Sequence, residues 1–236
     1  MSLVRYALAG GAARITLTAP DRGNPLDPEM AGELQRAVRR ARADDARVVL
    51  LRGAGRPFSF GGDVGVFAAA DDREQLVDDL AETLHRTISD LHRMDAVVVS
   101  AVQGMAAGAG VPLAAAADLV LAGASARFTL AYTKIGLSPD GGSSLLTASL
   151  GLHRALHLAL LNPVLTAEQA QAAGLVAEVH PDDELDAAVD RVVAQLLAGS
   201  RTAQVAAKRL PVCWTNSASS TPTCSAIPGE DRWRSS

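Results

Sequence analysis

Residues 103–118 have types and a spacing that suit the stabilisation of a negative charge. Their three glycines break the chain between an apolar, β-branched run over residues 97–102 and an alanine-rich stretch that favours a helix. Backbone N–H groups in the first turn of a helix have no partner inside it, so positive potential gathers there. We therefore expect this junction to hold an oxyanion that develops at a carbonyl group.

The same stretch permits two other interpretations. Residues 96–117 carry no charge and contain Gly104 and Gly108, four positions apart, a pattern also found in membrane helices that dimerise. Pro112, the polar Gln103 and the valine-rich first half favour a strand, a tight turn and a helix instead. The second alternative is that the glycines only allow a helix to pack closely against a strand.

Alternating strands and helices must position this junction. Two short runs around Gly10 and Gly11 predict a β-hairpin, and Asp27 followed by Pro28 predicts the start of an amphipathic helix that lasts until Asp44. Further patterns predict a strand over 48–51, a glycine-rich loop over 53–65, a helix over 73–94 and a strand over 97–102. This alternation is typical of βαβ units.

The second half of the chain continues the alternation. Short strands are predicted over residues 119–122, 127–130 and 176–179. A helix is predicted over 143–161, before Asn162 and Pro163 stop it, and another over 183–197. Thr166 and Gln169 form the pattern of a capping box, which predicts a helix start between them.

Composition favours a soluble globular chain and excludes several partners. The 236 residues are 48% hydrophobic, enough for a sizeable core, and 3% aromatic, with a net charge of −4. Because there is neither a basic stripe nor an aromatic platform, we expect no nucleic-acid partner, and we expect no membrane insertion. The first residues lack the pattern of a secretory signal, and Cys213 and Cys224 lack metal-ligand company, so we expect a cytoplasmic location.

The pattern changes near the C-terminus. From about residue 211 the sequence is rich in serine, threonine and proline and has no hydrophobic period, which predicts disorder. We therefore divide the chain into a core, residues 1–200, and an atypical C-terminal segment, residues 201–236. Both tryptophans and both cysteines fall in this segment, which indicates either a frameshifted coding end or a thiol-bearing regulatory tail.

Four segments, in order and spacing, resemble the crotonase superfamily, also called the enoyl-CoA hydratase/isomerase family. They are Arg22-Gly-Asn-Pro-Leu26, residues 52–63, residues 103–118 and residues 128–142, and the resemblance extends over roughly residues 3–208. It implies an α/β fold of the ClpP/crotonase type, a spiral of repeated ββα units with C-terminal helices. It also implies an acyl-CoA substrate and assembly as a homotrimer or a dimer of trimers.

The resemblance assigns two oxyanion donors to the backbone N–H groups of Gly62 and Ala109. In this family such a pair stabilises the enolate-like thioester that forms when a proton leaves the α or γ carbon. Relatives usually have glycine at the second position, so Ala109 is a departure that requires an ordinary helical backbone conformation there. Small residues suit both positions because a bulky side chain would block the carbonyl oxygen.

The resemblance also indicates which acid/base groups are missing and which one remains. Hydratases of this family use two glutamates to activate water, and the matching positions here are Pro112 and Tyr132, neither of which is a base at neutral pH. Asp140 matches an aspartate of relatives that shift double bonds, so we assign it as the single acid/base. It also lies in a Pro-Asp-Gly turn sequence, where the carboxylate can simply bond its own backbone.

The substrate-binding set implied by the resemblance comprises Arg22, Pro25, Leu26, Phe60, Asp63, Val64, Met105, Gly108, Tyr132 and Leu137. Arg22 is assigned to a phosphate of coenzyme A, and Asp63 is interpreted as architectural, a helix cap or ion-pair partner. Apolar neighbours such as Met105, Phe67 and Leu137 would raise the pKa of Asp140 if they line the pocket.

Taken together, these residues favour an enoyl-CoA isomerase of fatty acid metabolism with Asp140 as acid/base. Three alternatives stay open: a hydratase (lyase) with a non-standard way of activating water, a hydrolase or dehalogenase with Asp140 as nucleophile, and a non-catalytic acyl-CoA-binding homologue. The sequence carries no metal, flavin or nicotinamide signature, so we expect no cofactor beyond the coenzyme A of the substrate.

Overall fold

The structure, a computed structural model, describes residues 2–139 and 142–216. In these ranges the strands are β1 (Val4–Ala9), β2 (Ala12–Leu17), β3 (Val48–Gly53), β4 (Val97–Val102), β5 (Met105–Ala107), β6 (Leu119–Gly123), β7 (Arg127–Thr129), β8 (Leu165–Thr166) and β9 (Glu178–His180). The helices are α1 (Pro28–Ala43), α2 (Val64–Ala69), α3 (Arg73–Arg93), α4 (Gly110–Ala115), α5 (Leu145–Leu150), α6 (Leu152–Leu161), α7 (Ala167–Ala172), α8 (Leu185–Ala198) and α9 (Arg201–Asn216). Short 3-10 turns cover Pro20–Arg22 and Tyr132–Ile135.

Six strands form the main sheet, in the order β1-β2-β3-β4-β6-β9. β1 and β2 pair as the antiparallel hairpin that the sequence predicts, and the other neighbours are all parallel. Parallel neighbours need crossover connections, and α1 and α3 supply those from β2 to β3 and from β3 to β4. The predicted alternation of strands and helices is confirmed.

The central strand β4 is buried on both faces, which explains why its sequence is almost uniformly apolar. Val98 and Val102 belong to the larger hydrophobic cluster, which includes the buried faces of α1, α3 and α4. Val99 and Ala101 belong to the second cluster, which α8 covers from the other side. A strand buried on both faces needs no polar alternation, so its side chains form a continuous apolar run.

A second, three-stranded sheet carries the part of the chain where chemistry is expected. Its order is β5-β7-β8, and residues 57–60 lie beside β5, where Ser59 forms a parallel bridge with Ala106. The sequence analysis predicts only a tight turn where β5 lies, because three residues bounded by glycines are too short for a periodic signal. The uncharged stretch over residues 96–117 is thus divided among β4, β5 and α4, and the alternative of a single membrane helix is wrong.

One predicted helix is two. The sequence predicts continuous helix over residues 143–161, but α5 ends and α6 begins at Gly151, whose φ of 74° and ψ of 158° are not helical. The apolar period continues across the break, which is why the pattern alone does not reveal it. Glycine tolerates this conformation at little cost because it has no Cβ.

The helix α9 was not predicted, because the last helix expected from the sequence covers residues 183–197. The sequence predicts disorder from about residue 211, but the backbone of α9 remains helical to Asn216. Its earlier turns are anchored on the core by Arg201, which donates to both carboxylate oxygens of Asp45, and by Lys208. Once such turns are fixed, each further helical residue adds one hydrogen bond, so the helix propagates into a weakly helical sequence.

Lys208 is the buried anchor of α9. Its side chain is 5% exposed, and its Nζ donates to the carbonyl oxygens of Leu91 and Ala96, both at 2.9 Å. Nζ also lies 2.9 Å from a carboxylate oxygen of Asp118, and the same oxygen accepts the N–H of Val98 at 2.7 Å. The ammonium group therefore exchanges its hydration for three oxygen partners.

No helix within the two described ranges has the length and apolarity that crossing a bilayer would require.

We predict that Lys208→Met lowers the free energy of unfolding by roughly 3 kcal/mol, because it leaves the carboxylate of Asp118 and two carbonyl groups without their buried cation. Arg209→Met is the matched control on the same helix. Its pair with Asp95 is largely exposed, so the expected loss is below about 1 kcal/mol. Urea unfolding followed by circular dichroism measures both, and equal losses would contradict the assignment of Lys208 as the anchor.

Glu33 gives a prediction about pH. Hydrogen bonds from the Ser2 hydroxyl and from the N–H groups of Val4 and Leu3 hold the pKa of Glu33 below its ordinary value. A lowered folded-state pKa stabilises the protein above the unfolded pKa, near 4.5, and this contribution is lost as the pH falls through the folded-state value. We expect Glu33→Gln to be less stable than the wild type at pH 7, and the difference to disappear in acid, as measured by urea unfolding across pH 3–7.

Candidate active site

A cavity of about 550 Å³ lies between α2, α3, the 3-10 turn at Tyr132–Ile135 and the junction of β5 with α4. Gly62 and Ala109 both line it. Most of its other lining residues are apolar: Phe60, Val64, Phe67, Val77, Leu80, Ala81, Leu84, Ala107, Leu130, Ala131, Ile135 and Leu137. The two positions expected to stabilise an oxyanion therefore face the same largely apolar space.

The N–H of Gly62 is oriented by a hydrogen bond on the other side of its peptide. The carbonyl oxygen of Gly61 accepts the N–H of Leu26 at 2.8 Å. In a planar trans peptide the C=O and the following N–H point in opposite directions, so the N–H of Gly62 points away from Leu26. Gly61 has a φ of 80°, a conformation that favours glycine.

The N–H of Ala109 is oriented in the same way. The carbonyl oxygen of Gly108 accepts the N–H of Val111 at 3.1 Å, and the N–H of Gly108 donates to the carbonyl oxygen of Thr129 at 3.0 Å. Ala109 itself has a φ of −64° and a ψ of −13°. The expectation that alanine at this position needs an ordinary helical backbone is confirmed.

These two N–H groups lie on adjacent backbone segments and have no hydrogen-bond partner in the part of the chain that the structure describes. The segments are in close contact, because a Cβ added to Gly61 would lie 2.8 Å from the nitrogen of Ala109 and 2.6 Å from the carbonyl oxygen of Ala107. Two unpaired donors beside an apolar cavity can stabilise a negative charge on a carbonyl oxygen, which is the chemistry predicted for this junction.

Asp63 caps the helix that follows the first donor. Its carboxylate accepts the N–H groups of Gly65 at 3.0 Å and Val66 at 3.2 Å, which places it as the N-cap of α2. One turn later, the ring of Phe67 lies against Gly62, where an added Cβ would be 2.6 Å from the ring tip. The geometry supports the interpretation of Asp63 as architectural.

Of the two positions that match the glutamates of hydratases, only one faces the cavity. Tyr132 lines the cavity, whereas Pro112 is buried in α4 outside the lining. Asp140 lies outside the described residues. Ala131, which precedes Tyr132, has a φ of 56°, an uncommon value for a residue other than glycine, so backbone strain is located beside the cavity.

Five of the ten predicted substrate-binding residues line the cavity: Phe60, Val64, Gly108, Tyr132 and Leu137. The other five do not: Arg22, Pro25, Leu26, Asp63 and Met105. Arg22 instead pairs with Asp27, Leu26 is fully buried with its N–H bonded to Gly61, and the carbonyl oxygen of Met105 accepts the N–H of Ser59. The predicted contacts of Arg22, Pro25 and Leu26 with the coenzyme stay predictions.

Sequence reasoning missed the charged rim of the cavity. Arg73, Glu74 and Asp78 of α3 line it together with apolar residues of the same helix. No motif marks them, but Glu74, Asp78 and Ala81 recur at spacings of four and three, so they share one helix face with the apolar lining. That periodicity is the signal that could have identified them.

The chain is similar in sequence to proteins of one known family. A family model described as enoyl-CoA hydratase/isomerase matches residues 8–218. A probable enoyl-CoA hydratase of Rhodobacter capsulatus is 39% identical over 207 residues, which cover 87% of this chain and 79% of that protein. The 1,2-epoxyphenylacetyl-CoA isomerase of Escherichia coli is 39% identical over 192 residues, which cover 78% and 72%.

Solved structures share the fold. A protein from Thermobifida fusca YX, in complex with acetoacetyl-CoA, superposes with a TM-score of 0.82 at 32% identity, covering 91% of this chain and 88% of that one. The predicted crotonase-type α/β fold is therefore confirmed. Hydratases and isomerases both occur among the similar proteins, so similarity alone does not separate the two reactions.

The contact between the donor segments yields a stability prediction. We expect Gly61→Ala to lower the free energy of unfolding by roughly 3 kcal/mol or more, because the new Cβ overlaps Ala107 and Ala109 and the backbone is left-handed. Gly136→Ala is the matched control, since Gly136 has a φ of 75° and no atom of the described residues lies within 4 Å of an added Cβ. It should cost about 1 kcal/mol. Similar losses in urea unfolding would show that the two segments are not in contact.

Proposed function

The chain belongs to the enoyl-CoA hydratase/isomerase family, and on this basis we propose that it shifts a carbon–carbon double bond within an acyl-CoA thioester. The observation that carries the proposal is that the N–H groups of Gly62 and Ala109, which have no hydrogen-bond partner among the described residues, lie beside an apolar cavity. The residue types at positions 112 and 132, proline and tyrosine, favour isomerisation over water addition by two glutamates.

An acyl-CoA substrate fits the lining of the cavity. The thioester oxygen would lie between the two N–H groups, and the acyl chain would contact the apolar residues of α2 and α3. The acetoacetyl-CoA complex of the Thermobifida fusca protein supports this class of ligand. When a proton leaves the α carbon, the oxygen becomes negatively charged, and each donor contributes roughly 10²–10³-fold to the rate.

Isomerisation needs one acid/base, and we propose Asp140 for it. In a 3-enoyl thioester the carboxylate takes the proton of the α carbon, which leaves a dienolate whose oxygen the two N–H groups stabilise. The same group then returns the proton to the γ carbon, and the double bond becomes conjugated with the carbonyl group. Atoms and charge balance without water, a metal or a redox cofactor, so we propose that the reaction uses none.

Hydration is the second candidate, and one observation favours it. The carboxylates of Glu74 and Asp78 lie in the lining of the cavity, where they could activate a water molecule in place of the missing glutamates. The name of the Rhodobacter capsulatus protein fits this reaction. Both side chains are exposed, however, so water is not excluded from either carboxylate.

We further propose that the protein acts in the cytoplasm as a homotrimer or a dimer of trimers. The support is an apolar stripe on α6, where Leu152, Leu156 and Leu160 recur every four residues and are all exposed, next to the exposed Leu161. Such a stripe is costly to leave in water and is typical of a protein–protein interface.

Turnover of a 3-enoyl-CoA, followed by the ultraviolet absorbance of the conjugated product, tests the isomerase proposal. We expect wild-type turnover and a loss of roughly 10²-fold or more in kcat for Asp140→Asn, because the amide cannot accept the proton. The double variant Glu74→Gln, Asp78→Asn is the control and should keep its isomerase rate.

A parallel assay separates the competing reactions. Incubation of a 2-enoyl-CoA in H₂¹⁸O with detection of labelled 3-hydroxyacyl-CoA measures hydration. Hydration that the double variant abolishes and Asp140→Asn leaves intact would overturn the isomerase proposal. Binding of acetoacetyl-CoA without turnover of either substrate would identify a non-catalytic homologue.

A further inference from the structure

Ser59 lies between the segments that carry the two N–H donors, although it does not line the cavity. It is fully buried, and both its backbone and its side chain are hydrogen-bonded. Its position in the sequence, between two phenylalanines, gives no sign of this arrangement.

The hydroxyl group of Ser59 connects to the first donor. Its Oγ accepts the N–H of Gly61 at 3.1 Å and donates to the carbonyl oxygen of Asn24 at 2.8 Å. The carbonyl oxygen of Gly61 is held separately by the N–H of Leu26. The residue before Gly62 is thus fixed at both its N–H and its C=O, so the direction of the Gly62 N–H is determined from two sides.

The backbone of Ser59 connects to the second donor. Its N–H donates to the carbonyl oxygen of Met105 at 3.1 Å, and its carbonyl oxygen accepts the N–H of Ala107 at 2.8 Å. A Cβ added to Gly110, the residue after Ala109, would lie 2.7 Å from the carbonyl oxygen of Ser59 and 3.1 Å from its Cβ. The chain on both sides of Ala109 therefore packs directly on this serine.

Asn24 holds both Ser59 and the loop that precedes it. It is fully buried, and its Nδ2 lies 3.0–3.1 Å from the carbonyl oxygens of Ala54, Pro57 and Phe58. The loop that leads to Ser59 is thereby fixed to the same residue whose own carbonyl oxygen receives the Ser59 hydroxyl. The Ser59 hydroxyl, held by the buried Asn24, can therefore keep the N–H of Gly61 in one position.

We infer that Ser59 is a positioning residue that sets the distance and relative direction of the Gly62 and Ala109 N–H groups. Any residue can supply its backbone bonds, but the bond to Gly61 requires a side-chain acceptor of this length. A small displacement of one donor weakens its bond to an oxyanion more than it weakens ligand binding. The catalytic consequence rests on the proposed function, whereas the geometric role does not.

The test compares Ser59→Ala with Ser100→Ala. Ser100 is equally buried in β4, and its Oγ has no hydrogen-bond partner in the described part of the chain, so the same atom is removed away from both donors. For Ser59→Ala we expect kcat to fall by roughly 10-fold with KM within about twofold. Acetoacetyl-CoA, whose enolate form carries an oxyanion, should bind roughly 10-fold more weakly, while coenzyme A binds unchanged. Ser100→Ala should match the wild type in all four measurements.

A spectroscopic readout tests the geometry without any substrate. In ¹H–¹⁵N spectra of selectively labelled protein, we expect the amide signals of Gly62 and Ala109 to shift in Ser59→Ala and to stay in place in Ser100→Ala. If Ser59→Ala does not fold, Ser59→Cys replaces it, since sulfur is a weak acceptor of nearly the same shape and should give a smaller effect of the same sign.

The outcomes are distinguishable. Unchanged amide signals, or unchanged kcat and acetoacetyl-CoA affinity in an enzyme that is only less stable, would overturn the inference. Failure of the wild type to bind any acyl-CoA would overturn the proposed function, and the amide signals would still decide the role of Ser59.

Discussion

The pairing of residues 57–60 with β5 is the interaction on which the geometry of the site depends. The two donors are far apart in the sequence, and each belongs to a short irregular segment that could not hold its conformation alone. The hydrogen bonds of Ser59 with Met105 and Ala107 bring the segments together. Everything else at the site follows from this register, because the glycines allow the close approach and the planar peptides fix the directions of the N–H groups.

Buried polar groups maintain this arrangement because each of them has specific partners. Asn24, with a φ of 49°, donates to three carbonyl groups of one loop and accepts the N–H of Ala19 through its Oδ1. Gln103 donates to the carbonyl oxygen of Gly53, the last residue of β3 before this loop, at 2.7 Å. An apolar core would tolerate several registers of similar energy, whereas hydrogen bonds of this kind are lost together if the loop shifts.

The sequence was most informative where one residue type has one local consequence. Asp27 caps α1, and Thr166 and Gln169 form the complete capping box of α7, as predicted. Gly62 and Ala109, the two predicted donor positions, both line one cavity. They could be assigned from the sequence because the surrounding motifs occur in the order and spacing of the family. The break at Gly151 and the strand β5 could not be predicted, because the first leaves the apolar period unchanged and the second depends on pairing with distant residues.

The position of Lys208 has a consequence for the order in which the protein matures. This side chain, close to the end of the described chain, bonds to the last turn of α3, the helix whose other face lines the cavity. During synthesis the N-terminal elements emerge first and can collapse early. The carboxylate of Asp118 and the end of α3 gain their cationic partner only when Lys208, ninety residues after Asp118, has been synthesised. One wall of the cavity is therefore completed only after α9 has been synthesised and packed on α3.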